Sequence, residues 1–287
     1  MTGGWGFVGR HLIPQLKGWG HEVHAPTREN MNVLDSLAIE KHVSEFMPDT
    51  IIHLAAVTSR PETKADELRI QEVNVVGASN VARCSGDSHI ILASTCHVYG
   101  VPSCLPISEG HPLQGLGLYA RSKILAEEAV LELAHNRTTI LRLFNLLGPS
   151  QSREFALAGW CWSSCEGEMQ APLDSALQLL VGDLSLERDY LDVRDAVDGI
   201  GRVVEGGIEL ANQAINVCSG EARRLEELFS LCAPGAVPVM VDDRLIGNDV
   251  KKIVGCNEAL RSLGWRQRRS LESSISDMRS WIGAHLS

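Results

Sequence analysis

The chain has 287 residues, of which 44% are hydrophobic and 22% charged, a composition typical of soluble globular proteins with one large or two modest domains. Its formal net charge of -10 argues against binding along nucleic acid, because neutralising phosphates needs a concentrated positive surface. No apolar run approaches the ~20 residues of a membrane span, no signal peptide opens the chain, and its cysteines lack zinc-site spacing, so we expect a cytoplasmic protein with reduced thiols.

A glycine-rich turn opens the chain. In TGGWGFVGRHLIPQL, Gly3, Gly6 and Gly9 are spaced three apart at the start of an apolar helix. Glycines in such a turn let the backbone approach a pyrophosphate, whose charge then faces the amino end of the helix. Pro14 should kink this helix, because proline removes a backbone donor. The turn therefore predicts a dinucleotide site.

A buried strand normally precedes such a turn, and here only Met1 and Thr2 do so. Its absence would leave hydrogen-bonding groups unpaired on both neighbouring strands, a loss comparable to the stability of a whole domain. We therefore expect either that the reading frame begins upstream of Met1 or that the protein is impaired.

The next segment, HEVHAPTRE at residues 21–29, is predicted to be a short strand that ends near Arg28. An NAD-specific site favours a carboxylate at this strand end, whereas an arginine accommodates the 2′-phosphate of NADP. Arg28 therefore favours NADP(H) as the cofactor. The adjacent Glu29 keeps NAD(H) open.

Helices and short apolar strands then alternate up to Pro149. We predict a helix followed by a strand within residues 36–57, a helix at 73–84, and strands at 89–100 and 138–149. This alternation is typical of a Rossmann-type α/β fold, with a doubly wound parallel sheet covered on both faces. Thr95 and Asn145 lie at strand ends, where such sheets bind ligands.

The composition changes after Pro149, where tryptophan and cysteine lie among serines and glycines. We therefore predict a dinucleotide-binding domain at residues 1–149. Residues 150–287 should be a smaller, mainly substrate-binding region with segments that return to the first domain. In this region we expect a strand, a turn and a helix capped by Asp192 or Asp195, and then two short helices in the tail.

Tyr119 and Lys123 carry the candidate chemistry. Four residues apart on an amphipathic helix, they project from one face. An ammonium ~4 Å from the phenol, at an effective dielectric of ~20, would lower the phenol pKa by about 3 units. We therefore expect the pKa of Tyr119 to fall towards neutrality, where a general acid or base is most effective.

Eight short motifs in this order resemble the extended short-chain dehydrogenase/reductases that modify nucleotide sugars, the NAD-dependent epimerase/dehydratase family. The motifs are TGGWGFVG, HLAA, NVVG, STCHVYG, YARSK, RLFNLLGP, RDYLDVRD and NVCSG. Within the family, GPSQSREFAL and the tail are most similar to GDP-4-keto-6-deoxy-D-mannose reductases. The resemblance covers nearly the whole chain.

The resemblance implies a mechanism and a set of binding residues. NADPH would give a hydride to the C4 ketone of a nucleotide-linked 4-keto-6-deoxyhexose, and Tyr119 would protonate the resulting oxygen. Lys123 would lower the Tyr119 pKa and hold the nicotinamide ribose, while Thr95 would bind the ketone oxygen. A homodimer is also implied. The other implied contacts are Gly3, Gly6, Phe7, Val8, Gly9, Arg28, Asn32, Leu54, Ala55, Ala56 and Asn74 for the cofactor, and Thr58, Asn145, Arg188 and Arg244 for the substrate.

Three departures from the family pattern bear on function. Asn32 replaces an aspartate beside the adenine, and Gly117-Leu118 replaces Ser-Pro or Thr-Pro before the tyrosine. Cys96 and His97 follow Thr95 in place of Asp-Glu, which argues against dehydration. A role for these two side chains in epimerisation next to the ketone is open, and packing in the core is favoured.

Two other functions stay open. One is an NDP-sugar 4-epimerase with tightly bound NAD, which uses the same Tyr and Lys and which Arg28 disfavours. The other is a non-catalytic NAD(P)-binding sensor or scaffold. The complete Thr95, Tyr119 and Lys123 set argues against the second, because a pure binder has no need of the tyrosine.

Overall fold

The computed structural model describes residues 1–58, 63–134, 137–170, 177–240 and 250–286. The helices are α1 (Phe7–Gly18), α2 (Ser36–Phe46), α3 (Lys64–Gln71), α4 (Gly77–Arg83), α5 (Gly117–Leu133), α6 (Ala156–Gln170), α7 (Val193–Gly206), α8 (Leu225–Cys232), α9 (Glu258–Ser262) and α10 (Leu271–Leu286). The strands are β1 (Thr50–His53), β2 (His89–Thr95), β3 (Thr138–Leu143), β4 (Asn145–Leu147), β5 (Gln178–Val181), β6 (Glu187–Asp192), β7 (Ala214–Val217), β8 (Ala222–Arg224), β9 (Val237–Met240) and β10 (Lys252–Ile253).

The main sheet is parallel, with strands in the order β1-β2-β3-β7. Its central strands are apolar along their length because helices cover both faces. Ile91 packs into the cluster that includes α1 and α7, whereas Ile90 and Leu92 pack into the cluster that includes α4 and α5. The prediction of a doubly wound parallel α/β sheet is confirmed.

A second group of elements packs beside this sheet. Strands β10, β6 and β4 form a parallel sheet, to which β8 adds antiparallel to β6, and β5 pairs with β9. Helices α6, α8 and α10 enclose a separate apolar cluster around Trp160, Phe229 and Ile282. Helix α7 packs on α1 and β7 joins the main sheet. The domain boundary at Pro149 stays a prediction.

Three local predictions can be compared with the described helices. Helix α1 continues through Pro14 without a break. Asp192 caps α7, because its carboxylate accepts a hydrogen bond from the Arg194 backbone N–H at 2.7 Å. The tail contains two helices as expected, but α10 has 16 residues and is not short.

Residues 21–29 form no strand, so the strand prediction for this segment is wrong. A strand requires a paired neighbour. Among the described residues, Thr2 alone bridges β1 on this side, through its N–H to Ile52 O at 3.0 Å and its carbonyl to Leu54 N at 3.2 Å. A cavity of about 680 Å³ separates the rest of the segment from β1, in the space where a first strand was expected.

Three further properties concern membranes, metals and thiols. No helix in the described ranges combines the length and apolarity needed to cross a bilayer. The same residues contain no cluster of His, Cys, Asp and Glu that could hold a metal ion. All eight cysteines are free thiols.

Candidate active site

The glycine turn brings the start of α1 against the end of β1. Gly3 has a φ of +66°, and a Cβ there would lie 2.6 Å from Ala55 N. A Cβ on Gly9 would lie 2.4 Å from Gly4 O, so α1 can approach the turn only without it. Gly6 caps α1 without a side chain, which leaves the first backbone N–H groups of the helix to an anion. The cradle therefore fits a dinucleotide pyrophosphate.

Thr95 and Tyr119 meet where β2 ends and α5 begins. Thr95 is the last residue of β2 and is 6% exposed. Its hydroxyl lies close enough to the Tyr119 phenol to favour the phenolate, and it accepts a hydrogen bond from His97 N at 3.3 Å. Lys123 follows one turn later on α5 and is 3% exposed. Thr95 and Tyr119 therefore lie together at the carboxyl edge of the sheet, and Lys123 is buried one turn further along α5.

The predicted lowering of the Tyr119 pKa is wrong for this structure. Burial raises the pKa of Tyr119 to about 12, the nearby Cys96 thiol adds to this effect, and the Thr95 hydroxyl opposes it. Burial also lowers the pKa of Lys123 to about 8, which the carboxylate of Glu127 opposes. Lys123 lies one turn from Tyr119 on α5 as predicted, but desolvation sets the direction of the Tyr119 pKa shift and the charge of Lys123 is not among its causes.

A buried charge pair lies behind Lys123. The guanidinium of Arg142 donates to Glu127 Oε2 at 2.8 Å, and their side chains are 8% and 2% exposed. Glu127 also accepts a hydrogen bond from Ser94 Oγ, and Arg142 donates to Tyr99 Oη at 3.2 Å. The sequence analysis missed this network. The available signal was the placement of two opposite charges in otherwise apolar stretches of α5 and β3.

His53, in the HLAA motif, is buried at the end of β1. Its Nδ1 lies 2.7 Å from Thr2 Oγ1, while its buried Nε2 contacts no hydrogen-bonding group among the described residues. Burial lowers the pKa of His53 to about 3, and the positive charge of Lys123 adds to the shift. This imidazole is therefore neutral in the folded chain.

We expect this buried histidine to weaken the fold in acid. Between pH 6.5 and 3 the unfolded chain binds the proton that folded His53 excludes, so stability falls as the pH falls. Between pH 7 and pH 5, wild type should lose about 2 kcal/mol more than His53→Gln, at ~1.4 kcal/mol per pKa unit. Urea unfolding of both proteins at the two pH values measures the difference. Equal losses would contradict the assignment.

A cavity of about 270 Å³ beside the glycine turn collects several of the predicted cofactor residues. The Asn32 side chain lies at this cavity, but its Oδ1 accepts a hydrogen bond from Leu34 N at 3.1 Å. Phe7, Val8 and Leu54 instead pack against the apolar cluster under the sheet. The predicted cofactor residues that line the cavity are Gly3, Gly6, Arg28, Asn32, Ala55 and Ala56.

Asn74 has a structural role that the sequence did not reveal. It is buried in a π-helical turn, Glu72–Val76. Its side chain accepts from Val57 N at 2.8 Å and donates to Val57 O at 3.1 Å and Ser122 Oγ at 3.0 Å. Asn74 therefore holds the loop after β1 against α5. Its direct contact with the cofactor stays a prediction.

The predicted substrate residues are only partly brought together. Asn145 and Arg188 lie on the paired strands β4 and β6. Asn145 Nδ2 donates to Asp189 O at 3.0 Å, and Arg188 Nη1 donates to Glu187 O at 2.9 Å. Thr58 is exposed at the end of a described range, and Arg244 lies outside the described residues. Their contacts with a substrate stay predictions.

Cys96 and His97 occupy different environments. Cys96 is 3% exposed and packs in a cluster with Tyr99 and Phe144, as predicted. His97 is exposed, and its ring lies edge-on to Tyr119 with 6.4 Å between the ring centroids. The prediction that both side chains pack in the core is therefore wrong for His97.

Comparison with known proteins decides the family. The model of the NAD dependent epimerase/dehydratase family matches residues 1–218. The chain belongs to this family. The predicted resemblance is thereby confirmed, and the family provides the context for the Thr95, Tyr119 and Lys123 cluster.

Relatives within the family include both reductases and epimerases. The chain is 31% identical to the GDP-6-deoxy-D-mannose reductase of Pseudomonas aeruginosa, over 98% of this chain and 97% of the relative. It is 28% identical to a probable UDP-arabinose 4-epimerase of Arabidopsis thaliana, over 99% of this chain and 80% of the relative. A solved structure of RMD from Pseudomonas aeruginosa complexed with NADPH superposes with a TM-score of 0.84 and 26% identity, covering 99% and 97% of the two chains.

Proposed function

We propose that this protein reduces the C4 ketone of a nucleotide-linked 4-keto-6-deoxyhexose, such as GDP-4-keto-6-deoxymannose, with NADPH. The observation that carries the proposal is the proximity of Thr95 and Tyr119, with Lys123 buried one turn further along α5, at the edge of the sheet that also bears the glycine cradle. The likeness to a GDP-6-deoxy-D-mannose reductase over nearly the full length supports this choice of substrate.

Each residue of the cluster has a role in this reaction. A bound reduced nicotinamide would supply the hydride that C4 receives. Tyr119 gives its phenolic proton to the alkoxide oxygen, which balances the added hydride. The Thr95 hydroxyl donates a hydrogen bond to the same oxygen as negative charge develops there. The ammonium of Lys123 stabilises the phenolate that Tyr119 leaves behind.

The protonation state of Tyr119 supports reduction over epimerisation. With its pKa raised to about 12, the phenol is protonated at neutral pH, and this is the form that can give a proton to an alkoxide. A 4-epimerase must first remove a proton from the C4 hydroxyl, and this needs the phenolate. A UDP-sugar 4-epimerase is the second candidate, because a probable UDP-arabinose 4-epimerase matches almost the whole chain.

Two helices support a homodimer as part of the proposal. Helix α3 packs against α5, and each carries exposed leucines: Leu68 on α3 is 52% exposed and Leu125 on α5 is 48% exposed. A second copy of the chain would cover such side chains, since burying apolar surface drives association.

The function is tested by mixing the purified protein with NADPH and GDP-4-keto-6-deoxymannose. We expect the absorbance of the reduced nicotinamide to fall in step with formation of a GDP-6-deoxyhexose that lacks the ketone. A parallel sample receives UDP-arabinose without added cofactor. Interconversion of that sugar with no reduction of the keto sugar would favour the epimerase. Binding of cofactor without turnover of either sugar would favour the sensor or scaffold.

A further inference from the structure

The 270 Å³ cavity beside the glycine turn has an unusual charge composition. Two arginines line it: Arg28, which follows the irregular segment 21–27, and Arg69, in the last turn of α3. No aspartate or glutamate is among the described residues that line the same cavity. The sequence analysis singled out Arg28 but not Arg69, because the fifteen or so residues after β1 carry no recognisable phosphate-binding motif.

Both guanidinium groups are available to a ligand. Each arginine is exposed, and neither guanidinium forms a hydrogen bond or ion pair with a residue inside the described ranges. The acidic side chains of α3 are occupied elsewhere, since Asp66 accepts from Thr63 N at 3.0 Å and Glu67 pairs with Lys64 at 2.6 Å. Glu29, next to Arg28 in the chain, interacts electrostatically with it but does not line the cavity. Two positive charges therefore face one small cavity whose described lining contains no carboxylate.

The rest of the cavity indicates which anion these charges would meet. The glycine cradle at one end fits the pyrophosphate, and Asn32 offers no carboxylate to ribose hydroxyls and has its oxygen bonded to Leu34 N. A guanidinium matches phosphate oxygens with paired, charge-assisted hydrogen bonds. A second phosphate on the adenosine ribose would therefore lie in a cavity that carries two arginines.

We propose that Arg28 and Arg69 together bind the 2′-phosphate of NADP(H), and that Arg69, from α3, is a specificity-determining residue for this cofactor. The inference rests on the proposed function only in taking the cavity as the adenosine end of the cofactor site. Arg69 lies on helix α3, whereas the sequence analysis placed cofactor specificity at Arg28 alone.

Binding of two nucleotides without nicotinamide tests the proposal. Adenosine 2′,5′-bisphosphate carries the 2′-phosphate and 5′-AMP lacks it, so isothermal titration of both at one fixed salt concentration isolates that group. Arg69→Gln should weaken binding of the bisphosphate about 10- to 100-fold, the usual range for a lost charge-assisted hydrogen bond, and leave 5′-AMP binding unchanged. Arg28→Gln should act in the same way. Arg83→Gln, at the last turn of α4 and outside the cavity, is the matched control.

Retained binding of 5′-AMP shows that each variant is folded at this site. The proposal is overturned if Arg69→Gln binds the bisphosphate as wild type does, or if it loses both nucleotides equally. The assay contains no sugar nucleotide, so its outcome is separate from that of the reductase test. If the protein reduces the keto sugar but Arg69→Gln leaves bisphosphate binding unchanged, only this inference is overturned. If Arg69→Gln weakens bisphosphate binding but the protein has no reductase activity, only the proposed function is overturned.

Discussion

Tyr119→Phe should lower kcat for reduction of the keto sugar by about 10²- to 10⁴-fold, the range typical of a lost general acid. The substitution removes the phenolic proton and the interaction of the phenol with Thr95 while keeping the ring. Nucleotide binding at the glycine turn should stay unchanged, because the turn lies on different elements. Steady-state kinetics with NADPH oxidation as the readout, together with titration of 5′-AMP, measure the two effects separately.

A second tyrosine provides the control for this experiment. Tyr190 on β6 packs against the separate cluster around Trp160 and Phe229, and its phenol lies near Arg188 and Cys96. Tyr190→Phe therefore removes a second buried phenol near the site while keeping the proposed proton donor. It should keep kcat within a few-fold of wild type. If Tyr119→Phe keeps more than a tenth of the wild-type rate, Tyr119 is not the proton donor, and the mechanism proposed for this site fails.

Arg142→Met should destabilise the folded chain by about 3–5 kcal/mol, because it leaves the buried Glu127 carboxylate without its partner. A methionine fills much of the same space, so the loss of charge rather than of volume dominates. The double variant Arg142→Met/Glu127→Gln removes both charges and should be less destabilised than the sum of the two single variants. Urea unfolding with a constant m value measures all of these differences. A single variant within 1 kcal/mol of wild type would contradict the assignment.

We expect Glu127, one partner of this charge pair, to affect catalysis through Lys123. The negative charge of Glu127 raises the pKa of Lys123 against the effect of burial. In Glu127→Gln the ammonium should therefore lose its proton at a lower pH, and the alkaline fall of the reductase rate should move in the same direction. A variant that is merely less stable would lose rate at every pH without this displacement, and the pH profile separates the two outcomes.

The fold could be predicted from the sequence wherever a segment is buried on both faces. The strand predicted at residues 89–100 contains β2 (His89–Thr95), since a strand in the middle of a parallel sheet needs no alternation, but the chain turns into a short 3₁₀ helix at Cys96–Tyr99. The strand predicted at residues 21–29 was wrong because a strand needs a paired neighbour. Among the described residues, the expected neighbour is reduced to a single bridge between Thr2 and β1, and a cavity lies beyond it. Composition within the segment carries no information on that neighbour.

The site was predictable in position and less so in electrostatics. Spacing placed Tyr119 and Lys123 on one face of α5, and the strand end placed Thr95 beside them. The pKa of Tyr119 was predicted in the wrong direction, because the depth of burial follows from tertiary packing. Asn74 and Asn145 also bind backbone atoms of the protein, a role that the sequence did not reveal, and their predicted ligand contacts stay predictions.

The outer side of β1 has a consequence for handling the protein. Beyond the bridge at Thr2, the backbone of this edge strand faces a cavity rather than a neighbouring strand within the described part of the chain. An open strand edge is a template onto which an extended segment of another molecule can add through main-chain hydrogen bonds. We therefore expect the protein to self-associate in concentrated samples and lose activity in this way. A low protein concentration during purification should keep it active.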